Sequence, residues 1–206
     1  MVSTLKVNKI QIPNSDSDVI SLDASTGNIT FNKTISGSGY DLLANVYSDS
    51  TVTSVEITLP TGYDSYYLQL TALGDHSSAS SWNFQQKRDG ESSFDTSSYT
   101  TQSKLQDLTN NQVNTNSGGS RMILSHAASL NMYFAHQIYL NNYGRTDVAN
   151  VMSFLTSKSL GGASSTWAGG GAHTTEANNM ARVSAVKYFP ANGNITRIQY
   201  KLFGIK

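Results

Sequence analysis

The chain has 206 residues, 14 Lys and Arg against 14 Asp and Glu, and charged residues make up only 14% of it. No block of basic residues stands out, which argues against nucleic-acid binding through phosphate neutralisation. The absence of cysteine rules out disulfides, thiolate metal sites and Cys nucleophiles. No segment reaches the length needed to span a bilayer. Met1–Pro13 lacks the continuous apolar run of a signal peptide, so the expectation is a chain made and assembled in a cytoplasm without membrane insertion.

Residues 1–36 form the first region. Leu5, Val7, Ile10 and Ile12 alternate with polar residues, then Ile20 and Leu22, and then Ile29 and Phe31 after the turn signal Thr26-Gly27-Asn28. These are two or three short strands with too few apolar residues to close a core by themselves. The shortfall predicts that several copies share one apolar interior, most simply as a trimeric stalk with those eight residues at its oligomerisation surface. Residues 37–39, Gly-Ser-Gly, read as a hinge, and residues 40–206 as a head.

Within the head, Val55, Ile57 and Leu59 share a face, as do Tyr66, Leu68, Leu70 and Ala72 in the next strand. Trp82, a core residue by its position, leads with Phe84 and Gln86 to the turn Asp89-Gly90. Residues 95–120 show no strand pattern and read as a loop, with one helical turn at Lys104–Leu108. Met122 and Leu124 predict a short strand, joined by Ala127-Ala128-Ser129 to the clearest one. In that strand, 130–140, Leu130, Met132, Phe134, Ile138 and Leu140 hold the even positions. Residues 159–179 read as a second long loop containing Trp167 and Gly169-Gly170-Gly171. Val186 and Tyr188, the turn Asn192-Gly193-Asn194, and Ile198, Tyr200 and Leu202 predict a terminal hairpin. Many short strands of period two, with one face buried and one wet, predict an all-β, antiparallel, jelly-roll-like β-sandwich behind the N-terminal arm.

The chemistry-bearing residues are sparse. His136 falls on the apolar face of the clearest strand and His126 continues the Met122/Leu124 face. Were those strands paired, the two imidazoles could meet, yet no metal-ligand spacing accompanies them. A core histidine satisfied by hydrogen bonds is the expectation, with no metal and no cofactor. The carboxylates Asp75, Asp89, Asp95, Asp107 and Asp147 sit at turns, where Asp serves turn geometry. No Gly-x-Ser-x-Gly elbow occurs, and the triple glycine lacks the Lys-Ser/Thr of a phosphate loop. No catalytic residue is assigned. Tyr is abundant, at 11 residues, and Tyr99, Tyr133, Tyr139 and Tyr143 are expected on wet faces or loops. Trp167, with His173, Thr174 and Asn178, has the groups a sugar site uses. The leading expectation is nonetheless that Trp167 caps the core or plugs a subunit interface.

The opening Ser3-Thr4-Leu5-Lys6-Val7-Asn8-Lys9-Ile10-Gln11 resembles the start of tail-fibre and structural proteins of phages infecting marine bacteria and cyanobacteria. The segment from Gly193-Asn194-Ile195 to Tyr200-Lys201-Leu202-Phe203-Gly204-Ile205-Lys206 is similar to the close of a β-sandwich module found in phage fibre and virion proteins. Tyr63-Asp64-Ser65-Tyr66-Tyr67, Arg88-Asp89-Gly90, Phe94-Asp95 and Tyr99 fit the same module. The resemblance implies a homotrimeric virion protein that contacts other tail or capsid proteins and, in adsorption, a host-surface glycan. It leaves open a short fibre or spike and a capsid decoration or cement protein. A fully extended stalk of this length reaches about 120 Å, short for a fibre. A polysaccharide-degrading enzyme or monomeric lectin is the alternative of another class.

Overall fold

A computed structural model describes residues 9–11, 18–22, 29–31, 39–75, 80–106, 111–128, 133–160, 163–173 and 180–206. The chain divides into two compact units, Met1–Asp41 and Leu42–Lys206. The first contains an antiparallel three-stranded sheet of β1 (Lys9–Gln11), β2 (Asp18–Leu22) and β3 (Ile29–Phe31) in the order β1-β2-β3. Its register sets Ile10 opposite Ile20, Ile20 opposite Phe31, and Leu22 opposite Ile29. Leu5, Val7 and Ile12 lie outside the described residues, as do Gly37 and Ser38 of the hinge.

The remaining strands are β4 (Tyr40–Ser48), β5 (Val55–Thr58), β6 (Ser65–Gly74), β7 (Ser80–Arg88), β8 (Tyr99–Gln106), β9 (Asn111–Gly119) and β10 (Met122–Ala128), followed by β11 (Tyr133–Asn141), β12 (Val151–Leu160), β13 (Ala163–His173), β14 (Val183–Pro190) and β15 (Ile195–Ile205). They form a four-stranded sheet, β10-β7-β14-β5, and an eight-stranded sheet, β4-β15-β6-β11-β12-β13-β8-β9. Set aside the hairpins β8–β9 and β12–β13, and β4-β15-β6-β11 faces β5-β14-β7-β10. Chain order then passes between the sheets at every step except β7 to β10, which is the order of a jelly roll. Both hairpins are insertions that widen one sheet beyond β11.

Period-two patterning places the core. Tyr66, Leu68, Leu70 and Ala72 of β6 and Phe134, Ile138 and Leu140 of β11 point inward, against Trp82 and Phe84 of β7 and Val183, Val186 and Tyr188 of β14. At its centre Trp82 stacks on Tyr188, ring centroids 4.8 Å apart and planes 10° from parallel, with Phe134 tilted against Trp82 at 5.4 Å. Offset and tilted rings pack closely while adding quadrupole attraction to area burial.

Several sequence expectations need correction. Residues 99–106, 111–119 and 163–173 are strands rather than loop, and Lys104–Gln106 is extended rather than helical. In β8 and β13 the inward Thr101, Ser103, Gly169 and Gly171 separate the large inward Tyr99 and Trp167, so hydrophobic alternation is broken there. The terminal hairpin does not form: β14 pairs with β5 and β7, while β15 pairs with β6 in the other sheet. Alternation reports that a strand has one buried face; it does not say from which side that face reaches the core. For the same reason β10 and β11 do not pair, since β10 joins β7, and Ala127 and Ala128 extend β10 rather than connecting it. Tyr99 and Tyr143 are fully buried rather than wet.

The glycines of β13 follow from close approach. A Cβ on Gly169 would meet Phe154 Cζ at 2.8 Å, and the Gln102 carbonyl oxygen closer still. Gly169→Ala is therefore expected to cost about 1–3 kcal/mol through overpacking, read as a lower denaturation midpoint in urea. An unchanged midpoint would show that the β12–β13–β8 layer is looser than described.

Candidate functional site

The outward face of the eight-stranded sheet is the candidate site. Strand pairing sets Tyr139 beside Tyr67 and Tyr67 beside Phe203, in one row across β11, β6 and β15. The rings stack along that row: Tyr67 to Tyr139 at 4.5 Å and 23°, Tyr67 to Phe203 at 5.9 Å and 25°. The row continues through Ser153 of β12, Gly170 of β13 and Gln102 of β8. A ridge of rings thus gives way to the small outward residues of β13, Ala168, Gly170 and Ala172. Ala168, Gly170 and Ala172 line a groove of about 600 Å³ together with Val113, Val151 and Gln102. Between ridge and sheet end lies a smaller depression, about 290 Å³, lined by Thr71 and Ala135 and by Gln69, Gln137, Gln199 and Lys201.

Among the described residues, every exposed large hydrophobic side chain lies on a strand of this sheet: Tyr40, Leu42, Tyr47, Val113, Tyr133, Tyr139, Val151 and Leu155. The strands from β15 to β9 carry no Asp or Glu, and the one carboxylate of β4, Asp41, is buried. Cations at outward positions are Lys104, Arg197 and Lys201, and Arg197 donates to the Tyr133 hydroxyl at 3.1 Å. The surface chemistry is thus amide, hydroxyl and aromatic, with a weak positive bias.

Two polar clusters lie beneath the surface, and His136 of the second also borders the smaller depression. Arg88 binds Glu91 through backbone and side chain and reaches Asp95 at 2.9 Å. Asp95 sits 3.9 Å from His173 Nε2, and His173 meets Tyr99 edge-on. Burial raises the Asp95 carboxyl above its usual range, with Arg88 opposing. Burial would also raise Glu91, but hydrogen bonds and charge from Arg88 hold it below. The cluster pins the β7–β8 connection to the end of β13, and its acids line neither groove described above. Among the described residues no three His, Asp or Glu side chains converge as metal ligands.

The second cluster joins the two sheets. His136 of β11 is 2.7 Å from Thr156 Oγ1 through Nδ1 and 2.8 Å from the Tyr188 hydroxyl through Nε2. Either tautomer satisfies both contacts, because each hydroxyl can donate or accept. His136 is thus a hydrogen-bonded core histidine. The side chain of His126 lies outside the described residues.

Trp167 is 3% exposed and His173 4% exposed, both facing the core from β13. Neither offers a ring face to a ligand, so they do not form the surface sugar site considered above; Trp167 caps the core. Thr174 and Asn178 lie outside the described residues. Sequence reading placed Tyr133 and Tyr139 on the wet side, as observed, but passed over Tyr67 and Phe203. Their odd positions beside inward Tyr66 and Leu202 were the available signal. The stack itself depends on inter-strand register.

Comparison with protein-family models, curated proteins and solved structures finds no match to this chain.

His136 makes stability depend on pH. Burial depresses its pKa to about 3, from 6.5 in an unfolded chain. The unfolded state therefore binds the proton first, and stability present above pH 6.5 is lost as pH falls toward 3, at about 1.4 kcal/mol per unit. His136→Gln should lower stability at pH 7 yet flatten this slope in urea titrations between pH 6.5 and 4. Parallel slopes for the two proteins would mean that His136 is not the titrating group.

Proposed function

We propose that this chain is a structural component of a phage virion, a short trimeric fibre or spike acting in host adsorption, with residues 1–36 as its attachment stalk. The observation carrying this reading is the contrast between the inside and outside of the larger sheet. The inner face completes a core with the smaller sheet, so the head closes itself. The outer face keeps aromatic, aliphatic and amide groups in the open without a single carboxylate on its strands from β15 to β9. Exposed apolar patches of this kind belong to contact surfaces. The N-terminal sheet supports the same reading, since its three strands of three to five residues are too small to stand alone. The opening motif and the closing strand resemble phage fibre and virion proteins.

The test uses the full chain and an antibody raised against it. Gold labelling of intact particles should mark the tail or its spikes, and added purified chain should slow adsorption of the particles to host cells. Labelling spread over the shell, with adsorption unchanged, would instead assign the chain to capsid decoration. Release of reducing sugar from host envelope, absent any particle labelling, would overturn the structural reading.

A further inference from the structure

From the same sheet we infer that the outward face around Tyr67, Tyr139 and Phe203 is where a second copy of this chain docks. The inference takes only the number of copies from the trimeric reading above.

Area is the first argument. Eight strands, each at least eight residues long, spaced about 4.8 Å apart at about 3.3 Å per residue, span on the order of 900 Å². A stable interface needs roughly 800 Å² from each partner. The face is large enough; its Tyr133 and Tyr139, 45% and 37% exposed, are of the kind that carries interface energy, and exposed Val113, Val151 and Leu155 add apolar area around them.

Ring orientation then separates a protein from a sugar. A pyranose needs an aromatic face turned outward. Here Tyr67 has a ring on either side, Tyr139 and Phe203, so the stack turns faces toward one another along the sheet. Tyr67, with both faces covered, is left its ring edge and hydroxyl, and the stacked rings together make a ridge. Such a ridge fits a complementary trough, and the same face has one over Ala168, Gly170 and Ala172. One surface therefore carries both halves of a contact.

Charge indicates the symmetry. Lys201 of β15 and Lys104 of β8 lie at opposite ends of the row beside the ridge, running through Gln69, Gln137, Leu155 and Ala168. A two-fold contact seating ridge in trough would bring these two ammonium groups together. A heterologous contact avoids that pairing and lets the cationic face meet a carboxylate elsewhere on its neighbour, such as exposed Asp49; Asp64 and Asp147 are already held by Arg145. Heterologous contacts that close make rings, of which a trimer is among the smallest.

The experiment is native mass spectrometry of the full chain and of its Tyr139→Lys/Leu155→Lys double variant. Both substitutions are at outward positions, so the core remains. The wild type should appear at three times the 22.3 kDa of one chain, and the variant should fall to single copies at a protein concentration at least tenfold higher than the wild type does, since residues 1–36 are unaltered in both. A variant that dissociates at the wild-type concentration would overturn this face as the interface while leaving the trimer intact. A monomeric wild type would overturn both. Should the variant fail to fold, Ser153→Cys decides: in a chain with no other cysteine, its thiol at the centre of the face should alkylate at least tenfold more slowly at concentrations where the native chain is trimeric than after dilution to single copies. Alkylation equally fast in both states would defeat the inference.

Discussion

The structure depends on two sheets finding each other through one shared interior, and its centre is the contact of Tyr188 with His136. Tyr188 comes from the smaller sheet, His136 and Thr156 from the larger, and the three polar groups satisfy one another beneath the Trp82 stack. A buried polar group without a partner costs about 1–3 kcal/mol, so the pairing also specifies which strands oppose which. Slipping β11 by one residue would turn His136 outward and leave the Tyr188 hydroxyl without it. The jelly-roll order places the partners so that this contact can form.

Closing the core in this way frees the other side of the larger sheet. The hairpins β8–β9 and β12–β13 add nothing to the jelly-roll order itself, but they double the larger sheet from four strands to eight. The smaller sheet keeps its four. The enlarged face holds the ridge of Tyr67, Tyr139 and Phe203 and the trough of β13. Gly169 and Gly171 exist for the inner side, where Phe154, Met122 and neighbouring backbone leave no room for a Cβ. Gly170 between them leaves the outer side bare. One glycine run thus serves core packing and surface shape together.

Much of the fold is legible in the chain, for physical reasons that vary along it. Tyr66 to Ala72 and Phe134 to Leu140 alternate strictly because large apolar groups face a core on one side only. His136 stands out by breaking that pattern, and its burial follows. The strands β8 and β13 escape notice because Thr101, Ser103, Gly169 and Gly171 fill inward positions with small groups, which interrupts the hydrophobic signal without removing the hydrogen-bonded ladder. Pairing of β14 with β7 and of β15 with β6 is a long-range choice that local patterning does not encode. The same limit hides the candidate surface. Tyr139 is visible as a wet-face aromatic, whereas its stacking with Tyr67 and Phe203 exists only in register. Trp167 misleads in the opposite way: glycines around it suggest an open loop, but they are the glycines of a buried strand.

The central claim is that the outer face of the larger sheet is covered in the assembled protein. Hydroxyl-radical footprinting of the intact chain tests it directly. A covered face predicts that Tyr139 and Leu155 oxidise as slowly as core Tyr188 and Leu68. Oxidation at the rate of side chains 37% and 40% exposed would contradict it.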